Sequence, residues 1–484
     1  MKLESIWQLE GTLETVTPLH IGDGGVRYGK FRRSANNPDG EVEEASEIQT
    51  AAKRLDNKAR IPGSALKGVL RSGFAVEDAG VRQVFGFQEE EPAIGQGGSV
   101  QFLDAVSEQP LSWAQLVLGR TAIDPVSGAA QDRFLFHLEL VPEETRFQVR
   151  IRGKAFAGEL WQDAVALVDS MLRRFNDESI TLGSGESNHW GVCRWRLDAV
   201  RVLDAAERGK WLAAPKPLDS ALGKLPDRKS ELNAVTPVAE TRANTIHLQL
   251  RFDGHSFLVN DPRKTGKKEP GKDVHAHAAR RTADGKLLLP AESFRGVLAH
   301  QAARIARTKG KAGQRQPVKR DSSGALTANL DSVTRLFGAA GWASVIQVRD
   351  FVEISRTGQP FPLPPQTHEF LAVDRFTGGG AEERKFDAEG GWQPWLAGRV
   401  TIDLKRLSAT GKPEPALGLL ALTLRDLAEG DLSFGWGSSK GFGWATVDTG
   451  DLDAAQWVES SMAGWCSGSV TDWIREWEKE NHNG

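Results

Sequence analysis

The stretch from Trp7 to Ile21, with Leu9, Thr12, Glu14 and Val16, reads as a strand that the glycines Gly22 and Gly24 bring to an end. From Gly25 to about Arg60 the chain turns polar and charged. That segment is too long and hydrophilic for a simple connection, so it reads as functional or disordered. An apolar run resumes at Gly63, and its spacing predicts a helix to about Ala75. Strands follow through 100–104, 134–141 and 147–151, with a hairpin loop over 119–129. Leu160, Val165, Val168, Leu172 and Phe175 then recur at helical spacing. A glycine-rich loop from Leu182 to Gly191 and a strand through Val192 to Leu197 close this half.

The same landmarks recur in order. Ile61-Pro62-Gly63-Ser64-Ala65-Leu66-Lys67-Gly68 returns as Leu289-Pro290-Ala291-Glu292-Ser293-Phe294-Arg295-Gly296, 228 residues later. Phe85-Gly86, Asp124-Pro125 and Leu182-Gly183 correspond to Phe337-Gly338, Asp374-Arg375 and Phe434-Gly435, at offsets of 252, 250 and 252. Four landmarks in one order indicate a tandem duplication. The boundaries drawn from this are a first domain over 1–213, a linker over 214–241, a second domain over 242–450 and a Trp-rich tail over 451–484. Each half runs strand, helix, several strands, helix, strand. That order predicts an α+β fold of ferredoxin-like, RRM-like type, an antiparallel sheet with helices on one face.

At 484 residues the chain exceeds one core, in line with this division. No apolar run approaches the roughly 18–20 residues needed to span a bilayer, and the start lacks the apolar core of a signal peptide, so the cytoplasm is the expected compartment. Cys193 and Cys466 lie far apart without CxxC spacing, against a disulfide framework or a structural zinc site. The net charge of −3 hides basic clusters from Arg263 to Arg281, which include Arg280 and Arg281, and from Arg304 to Arg320. Such runs suit either solvated loops or a polyphosphate backbone.

The repeated phrase joins several devices. Pro62 suits a helix entry, Ser64 can cap free N–H groups, and a cation (Lys67 or Arg295) stands in the first turn. A helix start with a cation is either an anion site or a capped helix whose lysine faces water, and its repetition favours the anion site.

Taken together, the Thr-Pro-Leu-His-Ile-Gly phrase at Thr17–Gly22, Ile-Pro-Gly-Ser-x-Leu-Lys-Gly at Ile61–Gly68, Ile-Asp-x-x-x-Gly at Ile123–Gly128 and the loop Gly435–Gly443 resemble the RAMP superfamily. The likeness is to the backbone subunits of type III CRISPR effector complexes, and two domains in one chain resemble the fused subunits of subtype D. The resemblance implies binding of a CRISPR RNA guide and complementary target RNA. Its implied protein partners are other RAMP-type backbone subunits, a large polymerase-like subunit and a small subunit. It implies that Ser64, Lys67, Arg71, Ser293 and Arg295 grip guide phosphates, with Gly437, Ser438, Ser439 and Lys440 adding donors. Thumb hairpins over 122–132 and 373–385, with Ile123, Asp124, Asp374, Arg375 and Phe376, would displace nucleotides.

Family members that cut target RNA use an aspartate in the loop before the helix phrase together with a divalent metal (Mg or Mn), the 2′-hydroxyl attacking the adjacent phosphate. Asp273 is the candidate acid and metal ligand in the second half, with His275 and His277 beside it. In the first half the corresponding position holds Glu47, with Asp23 among the alternatives. Three readings follow: a guide-binding subunit that cleaves target RNA, a purely structural subunit, and a metal-independent guide-processing endoribonuclease using His20 or His275.

Overall fold

The computed structural model describes residues 2–32, 43–71, 79–89, 94–123, 130–214, 216–232, 244–261, 277–311, 318–319 and 330–480. The chain divides into two compact units, one of residues 1–186 and 190–241, the other of residues 187–189 and 242–484.

In the first unit strand β1 (Leu3–Thr15) leads to a hairpin, β2 (Gly22–Arg32) and β3 (Glu43–Ala51), then to the short β4 (Lys58–Ile61) and helix α1 (Gly63–Arg71). Strands β5 (Val100–Phe102) and β6 (Ala105–Pro110), a second hairpin, β7 (Val117–Ile123) and β8 (Ala130–Glu139), strand β9 (Arg146–Phe156), helix α2 (Trp161–Arg173) and strand β10 (Cys193–Leu203) follow. The main sheet has the order β10-β1-β9-β6-β4 with β5 also on β9, all antiparallel, which is the ferredoxin-like arrangement. Period-2 alternation explains it: in β9 Phe147, Val149 and Ile151 enter the core while Arg146, Gln148 and Arg150 face away. Val165, Val168 and Leu172 of α2 and Leu66 and Leu70 of α1 cover the apolar side.

The second unit repeats the plan. Its strands are β11 (Asn244–Arg251), β12 (Ser256–Phe257), β13 (His277–Ala278), β14 (Leu288–Leu289), β15 (Ile346–Val348), β16 (Phe351–Glu353), β17 (Gln366–Val373), β18 (Gly380–Trp392), β19 (Trp395–Ile402) and β20 (Trp444–Val447). Helix α5 (Ala291–Thr308) precedes β15 and helix α6 (Glu414–Glu429) precedes β20. The main sheet runs β14-β16-β19-β11-β20, with β15 on β19. The fold is therefore two tandem ferredoxin-like domains.

Two segments differ from the sequence reading. The polar segment from Gly25 to Arg60 contains the β2–β3 hairpin, ordered because β3 pairs in parallel with β8 and so joins the second hairpin in an accessory sheet, β2-β3-β8-β7. Of the stretch expected to be a linker, residues 216–232 fold onto the first unit. There Leu222 of helix α4 (Leu218–Leu222) is fully buried, and Val200 N–H of β10 donates to Asp227 Oδ1 at 2.9 Å. The tail forms helices α7 (Ala454–Ser461) and α8 (Val470–Lys479), whose Trp457, Trp473 and Trp477 join the core of the second unit. Among the described residues no helix is long and apolar enough to cross a membrane.

Candidate nucleic-acid interface

At the start of each repeated helix the anion is the protein's own. Gly63 N–H donates to Asp104 Oδ1 at 2.9 Å, and Ala291 N–H donates to Asp350 Oδ1 at 2.7 Å. A carboxylate there satisfies an orphan donor and complements the helix dipole, the part the sequence reading gave to Ser64 and to a phosphate. Ser64 instead lies exposed in the first turn. The two aspartates were missed although they end matching phrases, Gln101-Phe102-Leu103-Asp104 and Gln347-Val348-Arg349-Asp350. Arg60 pairs with Asp104 at 3.1 Å. Among the described residues Lys67 and Arg71 have no ion-pair partner, and Arg71 is exposed. Ser293 is half-buried, and Arg295 donates from Nη2 to the Phe337 carbonyl at 2.5 Å, tying helix α5 to the Phe-Gly turn.

The glycine-rich loops are joined to the end of the first strand by one main-chain pattern. In the first unit Ser184 N–H donates to His20 O at 2.9 Å and Gly191 N–H to Pro18 O at 2.9 Å. In the second, Trp436 N–H donates to Leu258 O and Gly443 N–H to Ser256 O, both at 2.8 Å. Gly183 and Gly435 take φ of +78° and +84°, and a Cβ on either would fall 2.2 Å from the carbonyl oxygen of His20 or Leu258. Beyond this joint Ser438, Ser439 and Lys440 form an exposed turn after Gly437, with the Lys440 ammonium over the Trp436 ring.

The hairpin of the second unit projects an ordered tip. Asp374 Oδ1 accepts from Phe376 N–H at 2.9 Å and Thr377 N–H at 2.8 Å, and Gly378 N–H donates to Asp374 O at 3.0 Å. The N–H groups of Thr377 and Phe376 hold the Asp374 carboxyl below its usual range. This turn presents Arg375 and a Phe376 that is 99% exposed, with Val373 and Leu371 exposed behind it. In the first unit Ile123 pairs with Ala130 at the hairpin's end, and Asp124 lies outside the described residues.

A profile of the RAMP superfamily matches residues 12–194 and 270–446, one match in each unit and more than half of the chain. The chain belongs to the RAMP superfamily. Comparison with curated proteins finds no match. Membership gives this RAMP protein a CRISPR-associated, RNA-binding character.

The candidate catalytic acids of the RAMP protein separate. Glu47 is exposed on β3 and accepts from the Tyr28 hydroxyl at 3.1 Å. Asp23 opens β2; burial pushes its carboxyl up, but the Thr50 hydroxyl, the Gly25 N–H and nearby Lys53 outweigh this and leave it below the usual range. The equivalent residue of the second unit, unnoticed in the sequence, is Asp261, 238 positions on and nearly fully buried. Asp273 and His275 lie outside the described residues. His277 is half-buried, its ring 4.4 Å from Trp436. Burial and then Lys440 push its pKa down, which favours the neutral ring. His20 is buried, with Nδ1 2.7 Å from the Glu139 carbonyl, and holds the loop to β8.

Glu139 of β8 is a fully buried carboxylate of the first unit. Arg27 Nε donates to it at 2.6 Å, Lys53 Nζ at 3.0 Å and Ala51 N–H at 3.0 Å, locking the β2–β3 hairpin against β8. Burial pushes this carboxyl up, and those three donors bring it below its usual range. The second unit fills the same junction with rings: Phe370, Phe386, Trp436 and Phe442 lie with centroids 5.2–6.3 Å apart.

Several cations of the basic runs have internal work. Arg281 donates to the carbonyls of Gly285 at 2.7 Å and Leu363 at 2.9 Å, while Arg280 is half-buried near Glu292. Lys311 donates to the carbonyls of Trp477 and Glu480, each at 2.6 Å, and Lys309 pairs with Glu478 at 3.0 Å. These lysines finish the C-terminus of α8, where cations complement the dipole.

Proposed function

We propose that the protein is a CRISPR RNA-binding backbone subunit of a type III effector complex, two fused domains of the subtype D kind, lying along the guide and holding the guide–target duplex. The hairpin tip supports this reading most. A fully exposed phenylalanine on a turn locked by Asp374, beside Arg375, contributes nothing to the protein's own core. It suits a wedge between bases, with a cation for the neighbouring phosphate. Pairing to the target would supply sequence specificity, the protein only register. Phe376→Ala with Arg375→Ala in the full chain should weaken binding of a guide-length RNA by about 1–3 kcal/mol, measured by fluorescence anisotropy, while the melting curve stays put. Unchanged affinity would sink the wedge.

The described residues of the first unit do not fit a divalent cation: Glu139 is neutralised by Arg27 and Lys53, and Asp23 stands as a single acid with Thr50 and Gly25. No metal-dependent step is assigned there. We assign target-RNA cleavage to the second unit, where Asp273 stands four residues before His277 in the sequence and His277 of β13 sits beside the glycine-rich loop. A Mg or Mn ion bound by Asp273 would offset charge developing on the phosphate as the 2′-hydroxyl attacks. In the assembled complex, chelator and Asp273→Ala should each abolish cleavage of complementary RNA at the positions this unit serves, and Glu47→Ala should leave them cut. Cleavage that survives Asp273→Ala supports the purely structural reading of this subunit.

A further inference from the structure

One strongly charged surface of the first unit uses none of these residues. On the side of the first sheet opposite α1 and α2, strand β9 presents Arg146, Gln148, Arg150, Arg152 and Lys154 at successive outward positions, without an acid. Their two-residue step is roughly 6.8 Å. Arg146 is neutralised by Glu14 at 2.9 Å on the neighbouring strand, and Arg201 of β10 lies 3.7 Å from Glu10. Toward the other end the balance changes. Arg152 takes a neutral partner, Gln8, at 2.6 Å. Lys154 is exposed and, among the described residues, has no ion-pair partner. The matching strand of the second unit, β19, carries Trp395, Ala397, Arg399 and Thr401 at its corresponding positions, so this row is a property of the first unit alone.

The anion that Arg150 and Arg152 share comes from outside the sheet. Asp219 of α4 pairs with both, its carboxylate lying 3.7 Å from Arg150. Helix α4 is five residues long, with Leu222 as its one buried side chain, and Asp219 remains 59% exposed. The chain beyond it is anchored more firmly along β10: Arg228 N–H donates to Val200 O at 2.8 Å and Lys229 Nζ to Asp198 O at 3.0 Å. A lightly held carboxylate thus sits between two arginines of a cationic row in which, across the strands, Glu10 faces Arg150 and neutral Gln8 faces Arg152. Burial, and next the like charge of Arg150, push the Arg152 guanidinium down, so an anion between them relieves repulsion.

We propose that the polar side of the first sheet, centred on Arg150, Arg152 and Lys154, is a phosphodiester-binding face for single-stranded RNA, and that Asp219 is the internal anion that covers it. RNA entering this face displaces α4, while the segment from Leu225 to Leu232 stays attached to β10. The site uses none of the residues of the hairpin tip and does not depend on the reading given to that tip.

The test uses the full chain and a labelled ten-nucleotide oligouridylate, with affinity followed by fluorescence anisotropy over a salt series. Asp219→Ala should tighten binding about threefold to tenfold and steepen the dependence of log K on log salt by about one contact. Asp219→Asn, which keeps the size of the side chain, should do the same in part. Arg150→Gln with Lys154→Gln should erase the gain. In a Phe376→Ala, Arg375→Ala background overall affinity should fall while the Asp219 effect persists. If the hairpin variants bind like the parent and the Asp219 gain remains, the wedge fails and this face stands. A folded Asp219→Asn protein with parental affinity and salt slope overturns the proposal, as does a gain that survives loss of Arg150 and Lys154.

Discussion

The two units share a skeleton and differ in what holds its accessory parts. The first relies on charge: Glu139 with Arg27 and Lys53 fastens its hairpins, and Asp219 pairs helix α4 with Arg150 and Arg152. The second relies on rings: Phe370, Phe386, Trp436 and Phe442 fasten the hairpin, and Trp457, Trp473 and Trp477 bury the tail against α6. The contrast is sharpest after the last strand. Leu203-Asp204-Ala205-Ala206 and Leu452-Asp453-Ala454-Ala455 begin the two appendages alike, each with an aspartate capping a helix. Yet α3 (Ala205–Ala213) buries no side chain, whereas α7 buries Trp457 and Val458. A shared helix start therefore does not decide where an appendage docks; the apolar area that follows does, because burial outweighs a cap by several-fold.

The largest effect should come from the tail. Trp477→Ala should cost the second unit about 3–5 kcal/mol, whereas Trp211→Ala, half-buried with its indole donating to Lys216 O at 2.8 Å, should cost the first about 0.5 kcal/mol or little more. Hydrogen exchange resolved by unit reads both, and equal losses would erase the distinction. Next comes Glu139→Gln, which leaves Arg27 and Lys53 facing a neutral amide and should destabilise the first unit by about 3 kcal/mol; a change under about 1 kcal/mol would show that the buried charge is dispensable.

Acidification should separate the units more gently. Asp23 and Glu139 both sit below their usual range when folded, so their contribution is complete above the unfolded values near roughly pH 4 and is lost as pH falls through the lower folded ones. The exchange protection of the first unit should therefore fall before that of the ring-held second, and simultaneous loss would argue against a charge-held junction. The smallest effects belong to the matching caps: Asp204→Ala and Asp453→Ala should each cost about 1 kcal/mol, whatever the appendage does afterwards. A much larger loss at either site would mean that the cap carries docking as well.

What the sequence disclosed follows from how locally each feature is encoded. The strand β9 and helix α2 announce themselves by period, and the duplication by phrases kept in order. The β2–β3 hairpin did not, because charged residues stand on both strands and its partner β8 lies far along the chain. Asp104 and Asp350 were hidden because an aspartate at a strand end looks like a turn residue; the repeat of Gln-x-x-Asp was the available signal. Lys309 and Lys311 read as part of a nucleic-acid patch, and nothing local could reveal that the Glu478 carboxylate and the backbone carbonyls of Trp477 and Glu480, some 170 residues away, would meet them. The hairpin tip was legible in Asp374-Arg375-Phe376, although not the full exposure of its ring.

The joint between each glycine-rich loop and the first strand has a consequence for how such a protein can diverge. Its hydrogen bonds run from main chain to main chain, and the side chains it constrains are the missing ones at Gly183, Gly191, Gly435 and Gly443. Mutation can therefore rewrite the rest of the loop, as Ser-Gly-Glu-Ser-Asn-His in one copy and Trp-Gly-Ser-Ser-Lys in the other attest, without moving where the loop sits. After duplication, each copy was free to acquire new surface chemistry on an unchanged frame, and a library that randomises these loops while sparing those four glycines should return mostly folded proteins.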